Sequence, residues 1–213
     1  MARTLIAVPC LDSVPVTFVS GLCKLLARAR GGVGLAFEVQ ALVYESRNRL
    51  AARAVAEGYD RILWLDSDIA FGPDLLERLS ADMDEGREFV SGVYFRRRLP
   101  TRPVILKGLD WYTDAQGWAT ADAEVYEDYP RGEVFPIAGC GFGAVMMSTK
   151  LLMRVIDAFH VPVFTPLPML SEDYAFCWRL GQIGVEMFAD SRIELGHCGL
   201  HVYTQADWDG QRE

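Results

Sequence analysis

The sequence has no long uninterrupted run of apolar residues, although 51% of its 213 residues are hydrophobic. Charged residues, prolines and glycines break each apolar segment well before the roughly 18 residues that a membrane-spanning helix needs. At the amino terminus, Pro9 and Asp12 follow a short apolar run too closely for a secretory signal peptide. We therefore expect a protein without a membrane span, whose first apolar run forms a β-strand.

The sequence also lacks paired cysteines and an excess of positive charge. Its five cysteines are scattered and odd in number, without the close spacing of a zinc site or the framework of a disulfide-rich domain. Reduced thiols and a cytoplasmic location are the expectations that follow. The net charge of -8 disfavours nonspecific binding to nucleic acid, because such binding needs a basic surface that neutralises phosphates.

One segment departs from this acidic character. Arg96, Arg97 and Arg98 follow one another, and Arg102 and Lys107 come soon after them. Such a cluster is compatible with a solvated loop and also with a site for a phosphate or an acceptor substrate. Both interpretations stay open at this point.

The order of apolar segments indicates an α/β architecture. Over residues 1–95, short strand-like runs alternate with segments whose apolar residues recur at helical spacing, which is typical of parallel strands joined by crossover helices. In this half we place strands near 5–8, 36–43, 61–66 and 89–95, and helices near 15–30, 46–58 and 74–83, with Ser46 as the cap of the second helix.

The second half is less regular. Periodicity is lost from 96 to 131, where we expect a β excursion or a long loop over the site. We then predict strands at 134–138 and 185–188, helices at 150–159 and 172–180, the second of them capped by Ser171, and a frayed tail from 204 to 213. A chain of 213 residues is long enough to form all of this as a single domain.

Two acids end the strand predicted at 61–66. Asp66 and Asp68 are separated by one residue, so both side chains point to the same side of an extended backbone. Ligands bind at the carboxyl ends of strands in open α/β sheets, and two adjacent carboxylates there repel each other unless a cation or hydrogen-bond donors compensate. The pattern predicts a divalent metal site, with a simple Asp-Ser-Asp turn as the alternative.

Two further groups carry titratable side chains. Glu172 and Asp173 begin a predicted helix after a proline-rich loop, where acids also complement the helix dipole. His197 and His201 follow the last predicted strand, and either a structural role or metal ligation is compatible with that position. The order of these features along the chain is more informative than any one of them.

This order resembles that of the GT-A-fold glycosyltransferases, in particular small members of the family 2-like group that use nucleotide-sugar donors. The resemblance covers nearly the whole chain. It rests on Arg47-Asn48, Asp66-Ser67-Asp68, Ser91-Gly92-Val93-Tyr94, the glycine-rich run 139–143, Glu172-Asp173, Trp178-Arg179 and His197. It implies a single-domain α/β fold with a mixed sheet flanked by helices, in which residues 1–95 form a nucleotide-binding half and residues 96–203 an acceptor-side half.

The resemblance implies a metal-dependent, inverting transfer of a sugar from a nucleoside diphosphate to an acceptor hydroxyl. Asp68 would coordinate Mn²⁺ or Mg²⁺ on the donor diphosphate, while Asp66 would contact the ribose or bind the metal through water. An imidazole from His197, and not from His201, would complete the metal site and favour Mn²⁺. Asp173 would be the base that deprotonates the acceptor, and Glu172 would support it or take its place if the register differs by one residue.

The resemblance also implies contacts to the donor. Pro9, Cys10 and Asp12 follow the first strand, where the family holds the nucleotide base, and we expect the nucleotide to be UDP. Arg47 would reach a phosphate from the start of its helix, or it would form a surface salt bridge.

The acceptor side is less defined. A glycan, a lipid-linked sugar or a protein hydroxyl is compatible with the sequence, and Trp111, Tyr112 and Trp118 are available to stack on a sugar. The segment 107–131 matches no pattern of the family, so the acceptor stays open.

Two other functions are compatible with parts of this pattern. A nucleotidyltransferase on a related fold normally needs a glycine-rich, basic signature near the amino terminus, which this sequence lacks. A sugar-nucleotide or glycan-binding module without turnover would not need the three acids Asp66, Asp68 and Asp173.

Overall fold

Twelve strands and six helices are formed by the part of the chain that the computed structural model describes, residues 2–199 and 202–210. The strands are β1 (Thr4–Cys10), β2 (Val33–Val39), β3 (Arg61–Leu65), β4 (Ile69–Phe71), β5 (Phe89–Val93), β6 (Ile105–Thr113), β7 (Ala119–Val125), β8 (Val134–Ile137), β9 (Gly139–Cys140), β10 (Ala144–Ser148), β11 (Met187–Cys198) and β12 (Val202–Tyr203). The helices are α1 (Val16–Arg28), α2 (Val43–Ala56), α3 (Leu75–Asp84), α4 (Thr149–Phe159), α5 (Glu172–Gln182) and α6 (Gln205–Asp209).

A nine-stranded mixed sheet forms the centre of the fold. Its strands follow the order β12-β11-β5-β10-β3-β1-β2, and β4 and β8 also pair with β11. β1 is parallel to β2 and β3, β10 is antiparallel to β3 and β5, and β11 is parallel to β5. The carboxyl ends of β1, β3, β5 and β11 therefore meet at one edge of the sheet.

The central strands are buried on both faces, as near-continuous apolar runs predict. Because successive side chains of a strand point to opposite faces, Leu5 and Ala7 of β1 pack into one core, while Ile6 and Val8 pack into the other. Helices α2, α4 and α5 cover the first core, and α1 and α3 cover the second. Helices on both faces of the sheet hold its edge rigidly in place.

The segment after β5 forms the β excursion that the sequence predicted. Strands β6 and β7 pair as an antiparallel hairpin, and β9 pairs with β6 to complete a second, three-stranded sheet. Among the described residues, no helix is both long and apolar enough to cross a membrane.

Two predicted boundaries differ in the first half. The second strand ends at Val39 and α2 begins at Val43, so Ser46 lies inside the first turn of the helix, where it is buried. The backbone N–H of Ser46 donates to the carbonyl oxygen of Leu42, which is the residue at the cap position. Ser46 is therefore not the helix cap that the sequence predicted.

Two further differences concern the end of the chain. The strand predicted at 185–188 runs from Met187 to Cys198, so His197 lies within it and not beyond it. The tail predicted to be frayed forms α6, in which Thr204 and Asp207 make a reciprocal capping box. Residues 211–213 lie outside the described part of the chain.

Candidate functional site

The turn after β3 is fixed by three backbone hydrogen bonds. The N–H of Asp66 donates to the carbonyl oxygen of Gly143 (3.0 Å), and the N–H of Ile69 donates to that of Asp66 (3.1 Å). The N–H of Cys198 donates to the carbonyl oxygen of Asp68 (2.7 Å). These bonds tie the turn to the neighbouring chain segments, and they bring Asp68 next to the end of β11.

Asp68 and His197 meet at this edge of the sheet. Asp68 Oδ2 lies 3.5 Å from His197 Nε2, and His197 Nδ1 lies 2.8 Å from the carbonyl oxygen of Phe95. A carbonyl oxygen only accepts hydrogen bonds, so Nδ1 carries a proton, and Nε2 is the ring nitrogen that faces Asp68. The ring of Tyr94 packs edge-on against the imidazole at 5.3 Å. His197 therefore directs its Nε2 towards the carboxylate of Asp68.

A third side chain, Arg97, contacts the same carboxylate. Its Nη1 lies 2.9 Å from Asp68 Oδ2, and it also donates to the carbonyl oxygen of Cys198 (3.4 Å). Burial disfavours the charged form of Asp68, but His197 and Arg97 outweigh it and hold the pKa of Asp68 below its ordinary value. The carboxylate is thus ionised and attracts positive charge.

These residues fit a divalent cation only in part. Within 2–199 and 202–210, no three His, Cys, Asp or Glu side chains are grouped so that they could hold a metal ion by themselves. Asp68 and His197 would supply one oxygen and one nitrogen ligand, a set that suits Mn²⁺ better than Mg²⁺ when substrate oxygens and water provide the others. His201 lies outside the described residues, so the preference for His197 over His201 stays a prediction.

Behind this pair, Arg47 links two acids. Arg47 Nη2 lies 2.7 Å from Asp66 Oδ1, and Arg47 Nε lies 3.2 Å from Glu172 Oε1. The side chain is 2% exposed, and its guanidinium carbon lies 5.2 Å from the centroid of the Phe142 ring and 5.7 Å from that of Trp64. A surface salt bridge, one of the two roles considered for Arg47, is therefore wrong because the side chain is buried, and the contact with a phosphate stays a prediction.

The buried charges shift one another's ionisation. Burial raises the pKa of Asp66 to about 6, with Arg47 opposing the rise and Asp68 adding to it. Burial, followed by the nearby charge of Asp173, also raises the pKa of Glu172. Arg47 favours the ionised form of both acids.

Glu172 and Asp173 have different surroundings although they are adjacent. Glu172 is buried and bound to Arg47, whereas Asp173 is partly exposed and forms no ion pair with any residue that the structure describes. The Ser171 hydroxyl and the Tyr174 N–H, the latter at 2.8 Å, both donate to Asp173 Oδ1. Ser171 thus occupies the cap position, but its side chain binds Asp173 and orients it.

A cleft of about 320 Å³ opens beside Asp68. It is lined by Pro9, Cys10, Leu11, Ala41, Leu42, Val43, Ser46, Asp66, Ser67 and Asp68. The end of β1, the start of α2 and the turn after β3 thus form its walls. Asp12 lies outside this lining, exposed to solvent, and accepts a hydrogen bond from Ser13. The volume is at the lower end of the range for small-molecule sites.

The glycine run 139–143 makes room for a side chain. A Cβ on Gly141 would overlap the hydroxyl oxygen of Tyr94, and a Cβ on Gly143 would lie 2.8 Å from Tyr94 Cε1. The close neighbour of both glycines is the ring of Tyr94, which packs against His197. The contact of Arg97 with Asp68 and that of the Phe95 carbonyl oxygen with His197 were not predicted, because neither contact has a local sequence signal.

The three aromatic residues proposed for stacking divide into two groups. Trp111 packs against Trp178, with ring centroids 5.5 Å apart, and its Nε1 donates to the carbonyl oxygen of Pro168 (2.8 Å). Tyr112 and Trp118 are 48% and 73% exposed. Trp111 therefore has a packing role although it is partly exposed, whereas the other two present largely free ring surface.

No protein-family model matches the chain, and no curated protein matches it in sequence. The crystal structure of A197 from STIV matches with a TM-score of 0.63 at 18% identity, over 92% of this chain and 86% of that one. GalNAc-T7, in a structure with UDP, GalNAc and Mn²⁺, matches with a TM-score of 0.59 at 10% identity, over 92% of this chain and 44% of GalNAc-T7. The chain thus spans less than half of GalNAc-T7. These likenesses show the fold, and they confirm the predicted GT-A architecture of a mixed sheet flanked by helices.

Proposed function

We propose that this chain is a glycosyltransferase that moves a sugar from a nucleoside diphosphate to an acceptor hydroxyl with the help of a divalent cation. The observation that carries the proposal is the approach of Asp68 Oδ2 to within 3.5 Å of His197 Nε2, beside the cleft. The fold supports it, since GalNAc-T7 shares this fold and its structure contains UDP, GalNAc and Mn²⁺.

The cleft would hold the nucleotide. Pro9 and Leu42 provide apolar walls for a base, and the first turn of α2 directs backbone N–H groups that favour a phosphate. Asp66 lines the cleft while Arg47 fixes one of its oxygens, so the other oxygen would accept hydrogen bonds from ribose hydroxyls. We propose UDP as the nucleotide, by analogy with GalNAc-T7. Asp12 would contact the base from the rim.

Asp68 and His197 would hold Mn²⁺ or Mg²⁺ on the donor, with diphosphate oxygens and water as the remaining ligands. When bound, such a cation neutralises charge on a departing diphosphate. Arg97 now contacts the oxygen of Asp68 that the cation would need. Once released from Asp68, the guanidinium of Arg97 would bind phosphate oxygens of the donor.

Asp173 would act as the general base. Its carboxylate is partly exposed, oriented by Ser171 and Tyr174, and in no ion pair with an arginine of the described chain. It would accept the proton of the acceptor hydroxyl as that oxygen attacks the sugar carbon from the side opposite the diphosphate, which inverts the configuration. Glu172 would hold Arg47 in place and take no part in proton transfer.

Release of nucleoside diphosphate from a panel of nucleotide sugars in the presence of Mn²⁺ tests this assignment, because water can replace an unknown acceptor. Asp173→Asn should slow the release about 10²- to 10⁴-fold, as expected for loss of a general base, and should leave UDP affinity unchanged. Asp157→Asn, which removes an exposed carboxylate on α4, should leave the rate unchanged.

Three outcomes would contradict the proposal. Absence of any release with wild-type protein that binds UDP tightly would indicate a binding module without turnover. Full activity of Asp173→Asn would exclude Asp173 as the base. Retention of the donor's anomeric configuration in the product, measured by NMR, would exclude the inverting mechanism.

A further inference from the structure

The loop of residues 96–102, here called the arginine loop, joins β5 to β6 at the edge of the sheet that carries Asp68. The N–H of Arg96 donates to the carbonyl oxygen of Arg102 (3.0 Å), and the Thr101 hydroxyl donates to the carbonyl oxygen of Arg96 (2.7 Å). Thr101 is fully buried, and Phe95 and Pro103 pair across the base of the loop. The loop backbone is therefore braced, and its arginine side chains project from a defined base.

A concavity of about 370 Å³ lies on this loop. It is lined by Arg96, Arg98, Leu99, Pro100 and Arg102. Arg102 Nε lies 3.2 Å from Glu127 Oε1, but both side chains are about half exposed, so water screens this pair. Arg96 and Arg98 form no ion pair with any residue in the described ranges. Positive charge without a partner is unexpected in a chain of net charge -8, and it favours an anionic ligand.

The concavity lies close to the proposed reaction centre. Arg97 of the same loop contacts Asp68. Burial raises the pKa of Tyr174, and Arg96 is near enough to oppose that rise, which places Arg96 close to the start of α5. Tyr174 adjoins Asp173, the proposed base. A ligand held by the arginine loop would thus have atoms within reach of the side of the site where the acceptor must bind.

We propose that Arg96, Arg98 and Arg102 bind a phosphate group on the acceptor, so that the acceptor substrate is a phosphorylated molecule that carries a free hydroxyl. This inference rests on the proposed glycosyl transfer. Guanidinium groups match the spacing of phosphate oxygens and bind them in pairs of charge-assisted hydrogen bonds. A lipid headgroup and a soluble phosphate ester share this chemistry. Leu99, which is 68% exposed at the rim, is the residue that would distinguish them.

Two probes with the same phosphate group test the proposal on the full chain with Mn²⁺ and UDP present. One is glycerol 3-phosphate, measured by calorimetry, and the other is a phosphatidylcholine vesicle that contains phosphatidic acid, measured by cosedimentation. Wild-type protein should bind at least one of them, and Arg98→Gln should weaken that binding about tenfold or more, the scale of a lost hydrogen bond between charged groups.

Arg30→Gln is the matched control. Arg30 is exposed and forms no ion pair with the described residues, and it precedes β2 at the opposite, amino end of the parallel strands. This variant changes the net charge by the same amount as Arg98→Gln but should bind like wild type. If Leu99→Ser weakens only vesicle binding, the ligand is a lipid headgroup. If glycerol 3-phosphate binds and Leu99→Ser changes nothing, the ligand is a soluble phosphate ester.

The proposal is overturned if wild-type protein binds neither probe, or if Arg98→Gln binds as tightly as Arg30→Gln. UDP affinity measured in the same samples separates this failure from failure of the proposed function. Tight UDP binding without arginine-dependent phosphate binding removes only the phosphorylated acceptor. If the protein binds phosphate in an arginine-dependent way but does not bind UDP, the result supports the anion site and contradicts the proposed glycosyl transfer from UDP.

Discussion

At the scale of single residues, the site depends on the buried side chain of Arg47, which is 2% exposed. Arg47 holds one oxygen of Asp66 and one of Glu172. A buried ion pair is not a strong source of stability by itself, but removing one partner leaves an uncompensated buried charge. Arg47 therefore determines where both acids lie, and its replacement should destabilise the protein through both of them.

Replacement of Arg47 should accordingly destabilise the fold. Arg47→Met should lower the free energy of unfolding by about 3–5 kcal/mol, because Glu172 and Asp66 lose their counter-ion. Arg49→Met is the control on the same helix. Arg49 is 59% exposed, and its surface ion pairs should be worth at most about 1 kcal/mol. Urea denaturation measures both variants, and equal losses would contradict the role given to Arg47.

The raised pKa of Asp66 predicts a pH dependence of stability. Between the ordinary value of 3.8 and the folded value of about 6, the folded protein holds a proton that the unfolded chain releases. Stability due to Asp66 therefore falls as the pH rises through this interval. Urea denaturation should show that the free energy of unfolding of Asp66→Asn rises relative to that of wild type, by up to about 3 kcal/mol, as the pH increases from about 4 to about 6.

Asp68 supplies the control for this measurement, because its pKa is shifted in the opposite direction. The free energy of unfolding of wild type should rise relative to that of Asp68→Asn as the pH rises through the ordinary range of a carboxyl group, since ionised Asp68 stabilises the fold. If the free energies of unfolding of wild type and Asp66→Asn change in parallel from about pH 4 to pH 6, the pKa of the Asp66 carboxyl group is not raised in the folded protein.

Residue types explain which parts of the site were predictable. Asp66, Asp68 and His197 were predicted as metal ligands because carboxylate and imidazole groups at strand ends indicate metal chemistry, and the structure brings Asp68 and His197 together while Asp66 pairs with Arg47. The environment of Arg47 was not predicted, because its partner Glu172 lies 125 positions away and the sequence does not show which distant residues come into contact. The contact of His197 Nδ1 with the carbonyl oxygen of Phe95 was not predictable either, because every residue has a backbone carbonyl group.

At the scale of elements, β11 is the strand that completes the site. The sequence predicted its end near 188, before the polar residues Asp190, Ser191 and Arg192. In the structure, Asp190 is fully buried beneath Arg192, whose Nε lies 2.8 Å from Asp190 Oδ1, and the register with β5 shifts between Asp190 and Glu194. A bulge of this kind interrupts the alternation of buried and exposed residues, so the sequence pattern does not predict that the strand continues. The strand then continues to His197.

The contact between the glycine run and Tyr94 gives a prediction at this scale. A methyl group at Gly141 would overlap the Tyr94 hydroxyl, so Gly141→Ala should destabilise the protein by about 1–3 kcal/mol, the usual cost of overpacking. Gly181→Ala should act in the opposite direction. Gly181 lies in α5 with open space around its Cβ position, so alanine should stabilise the helix there by about 0.5–1 kcal/mol.

A second substitution tests the cause of this effect. Tyr94→Phe removes the hydroxyl that a Cβ on Gly141 would meet, so it should recover part of the stability lost in Gly141→Ala. Thermal denaturation of the two single variants and the double variant measures the coupling. Additive effects would show that Tyr94 does not account for the glycine.

At the scale of the whole molecule, topology brings together residues that are far apart in sequence. β1, β3, β5 and β11 run in one direction, so the cleft, the Asp66–Asp68 turn, the arginine loop and His197 all lie at their carboxyl ends. The alternation of strands and helices predicted the parallel half, because each element there has a strong period. It did not define the small sheet, in which β9 has only two residues and depends on β6 for its geometry.

Calorimetric titration with UDP, with and without Mn²⁺, tests the central claim most directly in wild type, Asp68→Asn and His197→Ala. Wild-type protein should bind UDP at least about tenfold more tightly with Mn²⁺, and both variants should lose most of that difference. The control is His160→Asn, a change that the left-handed backbone at the end of α4 tolerates, and it should behave as wild type. Equal UDP affinity of wild type with and without Mn²⁺ would contradict the account.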